Sequence, residues 1–191
     1  MDVEILEAVK RSDTVYLEKC LDSSNINKIN AGSQSLLMMA TYQKDYEMAL
    51  FLVKKGANPN QQDEALNSPF LYAGASGYLD MVKLYLAYGA RFDTFDSFNN
   101  TALIAAVEKG QVDVVRLLAN TKNFPIDHIN KFGRTALLQS VILDGDDQDQ
   151  IEIVSILLKA GADKNISDPE GKLPIEYAKD KGVTEIISLL L

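Results

Sequence analysis

The sequence predicts an all-α fold, a solenoid of short helix pairs joined by loops. Three observations carry that expectation. A Ser or Thr suited to a helix start recurs at Ser35, Ser68, Thr101 and Thr135, in steps of about 33 residues. A Gly-Ala pair closes a helical stretch at Gly56-Ala57, Gly89-Ala90 and Gly161-Ala162. Between these marks lie apolar stripes too short to make stable helices alone in water, so each must be covered by the next.

The clearest unit runs from Ser68 to Ala90. Ser68 can cap a first helix, and Pro69 suits its first turn, where a missing N–H costs nothing. Gly77 supplies a left-handed residue that ends it. A second helix over residues 79–88 carries a wide apolar stripe of Met81, Val82, Leu84, Tyr85 and Leu86, and Gly89 stops it. At fixed spacing the chain also has Thr101-Ala102-Leu103-Ile104-Ala105-Ala106, Gly110, Val114-Val115 and Leu117-Leu118, with Asn following Gly-Ala at Asn58-Pro59-Asn60 and Asp163-Lys164-Asn165. This pattern resembles the ankyrin-repeat family, whose units run roughly Asp-x-x-Gly-x-Thr-Pro-Leu-His-x-Ala-Ala, Gly, Val-Val, Leu-Leu, Gly-Ala-Asp, Asn. The family's histidine is missing throughout: Met38, Leu71, Ile104, Leu138 and Glu176 stand in its places. Apolar packing is expected to replace its hydrogen bonding between units.

Taken in order, residues 1–30 read as an N-terminal cap, a worn helix pair with Asp2, Glu4, Glu7, Lys10 and Arg11 on the face that lacks a neighbour. Val15, Leu17, Cys20 and Leu21 form its second apolar stripe, and Asn30 falls where the family has Asp. Full repeats are expected over residues 31–64, 65–97, 98–131 and 132–169, with a C-terminal helix pair over 170–191, all in one domain. The third repeat departs from the pattern at Lys122-Asn123-Phe124-Pro125, where Pro125 is expected to prevent continuation of the helix. The fourth carries about five extra residues in Asp144-Gly145-Asp146-Asp147-Gln148-Asp149-Gln150, expected as an exposed turn. The closing Leu189-Leu190-Leu191 needs a cover, from the preceding repeat, from a longer chain or from a second copy.

Composition narrows the function. Of 191 residues, 27 are acidic and 19 basic, for a net charge of −8, which argues against nucleic acid and anionic membranes. The start of the chain has neither a basic leader nor an unbroken apolar core, and no later run is long enough to span a bilayer, so a cytoplasmic protein is expected. Cys20 is the single cysteine and reads as a small buried hydrophobe. His128, the one histidine, lies in a loop far along the array from Cys20 and reads as a surface imidazole rather than the base of a Ser-His-Asp or Cys-His site; the same scarcity excludes a His/Cys zinc site. The carboxylates of residues 144–149 lack the Gly and ligand spacing of a calcium loop and read as a solvated turn. The chain is therefore expected not to be an enzyme and to need no cofactor or metal.

What remains is shape. The resemblance implies a non-catalytic protein-interaction module that binds a partner on its concave face, built from hairpins and first helices. The positions it carries over are Tyr42, Glu64, Tyr72, Phe95, Asp96, Phe98, Phe132 and Arg134, with Asp63 and Asp93 flanking and Met39, Glu108, Gln139 and Tyr177 also facing outward. Large aromatics there serve either as interface anchors or as internal packing. The partner expected is a protein, with a basic surface to match the acidic flank, bound by a monomer. Two rivals stand beside this reading: a stoichiometric inhibitor of a partner enzyme, and a metal-dependent enzyme using the acidic turn.

Overall fold

Ser35, Ser68, Thr101 and Thr135 open four helices in the way their side chains require. The hydroxyl oxygens accept the N–H groups of Met38 at 3.1 Å, Leu71 at 3.2 Å, Ile104 at 3.3 Å and Leu138 at 3.1 Å. Each bond satisfies a helix-end donor that would otherwise be orphaned, worth about 1 kcal/mol. At the fifth opening Leu173 has no acceptor to offer. Pro174 starts that helix, and the Glu176 carboxylate instead reaches back to the Leu173 N–H at 2.7 Å.

The computed structural model describes residues 2–143 and 148–191, among which there are twelve helices. The chain divides into two units, one running to Ala73 and resuming at Tyr78–Ser97, the other made of Gly74–Gly77 and Phe98–Leu191. The first contains α1 (Val3–Lys10), α2 (Thr14–Cys20), α3 (Leu36–Tyr42), α4 (Tyr46–Lys54) and α6 (Leu79–Ala87), and the boundary falls within α5 (Pro69–Ala75). In this unit α3 packs on α1 and α4, and α4 on α6. Leu36, Leu37, Met38, Ala40, Met48 and Leu52 are sealed from solvent, each large side chain contributing about 1.5–3 kcal/mol.

The second unit contains α7 (Ala102–Glu108), α8 (Val112–Ala119), α9 (Ala136–Ile142), α10 (Gln148–Lys159), α11 (Pro174–Lys181) and α12 (Thr184–Leu190). Here α7, α9 and α11 pack in one row and α8, α10 and α12 in another. Met38, Leu71, Ile104 and Leu138, which replace the family's histidine, are all buried, so packing has taken over from hydrogen bonding at these positions.

The structure refines or departs from expectation at four places. Val15 is 70 % exposed and Cys20 only half-buried, while Leu17 and Leu21 of the expected stripe are buried, so the short, seven-residue α2 turns only part of that stripe to the core. Helix α8 ends at Ala119, well before Pro125. Its last carbonyls are satisfied by side chains, with Asn120 donating to Arg116 O at 2.8 Å and the Thr121 hydroxyl to Leu117 O at 2.8 Å. Asn123 takes the left-handed turn at φ 61°, and Phe124 fills the place of the usual Ala. Of the acidic insertion, residues 144–147 lie outside the described residues. Gln148 to Gln150 belong to α10 rather than to a turn, and buried Gln150 donates to Ser140 O at 2.8 Å and Leu143 O at 3.0 Å. Of the closing leucines, Leu190 is buried while Leu189 and Leu191 are exposed.

Candidate functional site

The hairpins are built on one repeated device. Asn30, Asp63, Asn130 and Asp168 each use Oδ1 to accept the N–H groups two and four residues onward. The pairs are Gly32 and Gln34, Ala65 and Asn67, Phe132 and Arg134, and Glu170 and Lys172, all between 2.8 and 3.0 Å. A side-chain acceptor inside the turn fixes its backbone, and with it the direction of the tip residues. A second device ties successive loops. Asn27 accepts from Asn58 N at 2.8 Å, Asn60 from Arg91 N at 2.7 Å, and Asp127 from Asp163 N at 2.9 Å. Recurrence of Asn at positions 27 and 60 was the available signal for this clamp.

In the first unit the expected residues Tyr42 and Tyr72 come together. Their rings meet edge to face at 4.5 Å and 83°, and Tyr72 meets Tyr78 at 6.2 Å and 73°. The Tyr42 hydroxyl donates to Asp63 Oδ2 at 2.7 Å. Burial, and then the adjoining Asp63 carboxylate, push the Tyr42 phenol well above its ordinary value. The Lys44 ammonium lies 5.0 Å above the Tyr78 ring centre. Tyr78, absent from the sequence expectation, completes this cluster.

The acidic flank is smaller than expected. Asp63 is buried and committed to its turn and to Tyr42, and Asp93 is held by two bonds from Arg91 at 2.8 and 2.7 Å. The pairing drives the Asp93 carboxyl below the usual carboxylate range. Glu64 is exposed and accepts from Ser33 Oγ at 3.2 Å; Asp96 and Phe95 are half-buried, and the Phe95 carbonyl accepts from Gln62 Nε2 at 2.7 Å. Met39 is buried rather than outward-facing.

In the second unit Phe98 and Phe132 stack at 5.6 Å and 29°, with 52 % and 50 % of each residue exposed. The Lys131 N–H donates to Phe98 O at 2.9 Å, locking the two hairpins that carry the rings. The Arg134 guanidinium lies 5.9 Å from the Phe132 ring centre, and its Nη1 approaches Gln139 Oε1 at 3.5 Å; Gln139 itself is buried. His128 Nε2 sits 2.8 Å from Asn99 O and 3.1 Å from Asn99 Nδ2, so the imidazole is a link between loops. Tyr177 is half-buried and donates to Asp168 Oδ2 at 2.5 Å under the Lys172 ammonium, 4.0 Å from its ring centre. Among the described residues no three His, Cys, Asp or Glu side chains converge as metal ligands, and no helix is long and apolar enough to cross a membrane.

Residues 70–168 match the family description "Ankyrin repeats (3 copies)" and residues 33–64 match "Ankyrin repeat". The chain belongs to the ankyrin-repeat family. It is 28% identical over 193 residues to YahD of Escherichia coli (strain K12), which is named an ankyrin repeat protein, covering 100% of this chain and 96% of that one. The crystal structure of the ankyrin repeat protein EF0377 superposes with a TM-score of 0.89 at 34% identity, covering 97% of this chain and 94% of that one. An ankyrin repeat domain (ABAYE2397) from Acinetobacter baumannii AYE superposes at 0.91 and 35% identity, covering 96% and 94%. The fold is therefore the all-α ankyrin array of helix pairs and hairpins. Ankyrin repeats are generally non-catalytic protein-interaction modules.

Proposed function

We propose that this ankyrin-repeat protein is a non-catalytic binding module that receives a segment of a protein partner on its hairpin tips and the outward sides of its first helices. The observation that carries the reading is the Phe98–Phe132 stack, two large rings half open to solvent on hairpins already locked together. Covering the remaining area of each ring, on the order of 100 Å², is worth about 2–3 kcal/mol. The turns are preorganised by Asn130 and by the Lys131–Phe98 bond, so little ordering offsets that gain. Arg134 beside Phe132 adds a charged rim.

The partner in this reading supplies apolar anchors to Phe98 and Phe132 and carries a basic surface, in keeping with the exposed acidic Glu64. In this reading the protein acts as a monomer in the cytoplasm. The test is calorimetric titration of a partner captured from native lysate. Phe98→Ala with Phe132→Ala is expected to weaken binding by about 2 kcal/mol or more, with unchanged helical circular dichroism, whereas Arg116→Ala on α8 leaves binding intact. Undiminished binding by the double variant, with loss on Arg116→Ala, would place the partner on the second helices and refute the reading.

A further inference from the structure

The first unit holds a second feature that the aromatic stack does not explain. Tyr42, Tyr72 and Tyr78 are half-buried, and successive rings meet edge to face at 4.5 and 6.2 Å, so they form one contiguous aromatic cluster whose remaining faces are partly open. One of those faces already carries a cation, the exposed Lys44 ammonium at 5.0 Å from the Tyr78 centre. The backbone of Lys44 is left-handed, with φ 55°. At the matching turn between helices the chain places Ser12, also left-handed at φ 56°, and Gly77, Gly110 and Gly182, for which such a φ is unstrained. A lysine at that place is a costly choice for the turn, yet its side chain reaches a ring of the next repeat.

We propose that the Tyr42–Tyr72–Tyr78 cluster is a receiving site for a lysine or arginine side chain of the protein partner, and that Lys44 is its internal stand-in, holding the site until the partner's cation displaces it. This rests on the protein-binding reading above and names the chemistry of one contact within it. Charge complementarity supports the occupant. The Tyr42 ring is anchored through its hydroxyl to the Asp63 carboxylate, and exposed Glu64 follows in the same hairpin. A cation over a tyrosine face is attracted by the ring quadrupole, and an entering guanidinium exchanges one such contact for another while releasing the flexible Lys44 stem.

The probe is N-acetyl-arginine amide, titrated against the full chain carrying ¹³C-labelled tyrosine rings, with N-acetyl-glutamine amide as the uncharged control. Saturable shifts are expected at Tyr42, Tyr72 and Tyr78 with the arginine compound alone. Lys44→Gln removes the competing ammonium and is expected to lower the Kd by about two- to fivefold, the range set by one exposed cation–π contact. Tyr78→Phe keeps the ring face and retains binding; Tyr78→Leu, checked for helicity, loses it. Equal shifts with the glutamine compound, no saturation in either protein, or an unchanged Kd on Lys44→Gln each overturn the proposal. Should the arginine titration fail while a captured partner still depends on Phe98 and Phe132, only this inference falls. A saturable arginine site together with indifference to the double phenylalanine variant sinks the stack reading instead.

Discussion

Asp63 offers the most direct test of how the hairpins are held. Its Oδ1 accepts the Ala65 and Asn67 N–H groups at 3.0 Å each, and its Oδ2 accepts the Tyr42 hydroxyl at 2.7 Å, all in a site 8 % exposed. Asp63→Ala leaves three donors without their acceptor. At about 1.5–3 kcal/mol for a bond to a charged group, discounted because water reaches part of the tip, the loss expected is roughly 2–4 kcal/mol. The chain supplies its own control, since Asn30 and Asn130 perform the same turn without a charge. Asp63→Asn keeps Oδ1 in place and lets the amide donate to the Tyr42 oxygen, so it is expected to cost under about 1 kcal/mol. Urea denaturation followed by circular dichroism measures both, and hydrogen exchange at the Ala65 and Asn67 amides locates the effect, with protection falling in the alanine variant and holding in the asparagine one. If Asn destabilises as much as Ala, the carboxylate charge rather than the acceptor geometry holds the turn, and the argument fails.

Two further outcomes follow from the backbone and the core. Gly89 has φ 86° and nothing within 4 Å of the place a Cβ would occupy, so Gly89→Val acts through the backbone alone, with an expected loss of about 1–3 kcal/mol. Gly89→Asn should cost distinctly less, since Asn123 already holds a left-handed backbone in this chain; equal thermal melting of wild type and Val variant would contradict this. Tyr85 is fully buried, and burial pushes its phenol well above the ordinary tyrosine value. A raised folded value means stability fully present below the unfolded pKa of about 10 and lost as pH rises beyond it, because the unfolded chain releases a proton that the native chain keeps. Tyr85→Phe is therefore expected to flatten the alkaline fall of stability in denaturation curves taken across roughly pH 9 to 12, at a cost near neutrality of about 1 kcal/mol. An equally steep fall in the variant would assign the alkaline loss to other groups.

The helix starts were legible because a Ser or Thr hydroxyl three residues before a free N–H is a local bond, decided by a few adjacent residues. Thr101 and Thr135 behave alike for that reason. Positions whose fate depends on a distant partner were not legible. Gln150 looked like part of a polar turn and is instead buried, since the carbonyls of Ser140 and Leu143 on the preceding segment await its amide. Val15 looked like core and is open to water, on the side of α2 away from buried Leu17 and Leu21. Asp63 looked like a rim charge; its role comes from two amides in its own turn and the Tyr42 hydroxyl at the end of α3. At the candidate site, Tyr42, Tyr72, Phe98 and Phe132 could be placed on the right elements by register, while Tyr78 and Lys44 lie just beyond helices and meet only through tertiary packing.

Register also explains why some aromatics are sealed and others open, which composition alone does not reveal. Phe70, Tyr85 and Phe124 are buried, two on helices and one at the loop following α8. Phe98 and Phe132 each sit two residues after the hairpin position held by Asp96 and Asn130, the place taken by Gly32, Ala65 and Glu170 in the other hairpins. At four of these five places the N–H is turned inward to the acceptor of the turn, which directs the side chain outward whatever its chemistry. A glycine, an alanine and a glutamate serve equally well there, so folding asks nothing of an aromatic ring at the tip. Their mutual stack occupies part of each ring at these adjacent tips, and the half that stays open to solvent is what the proposed partner would cover.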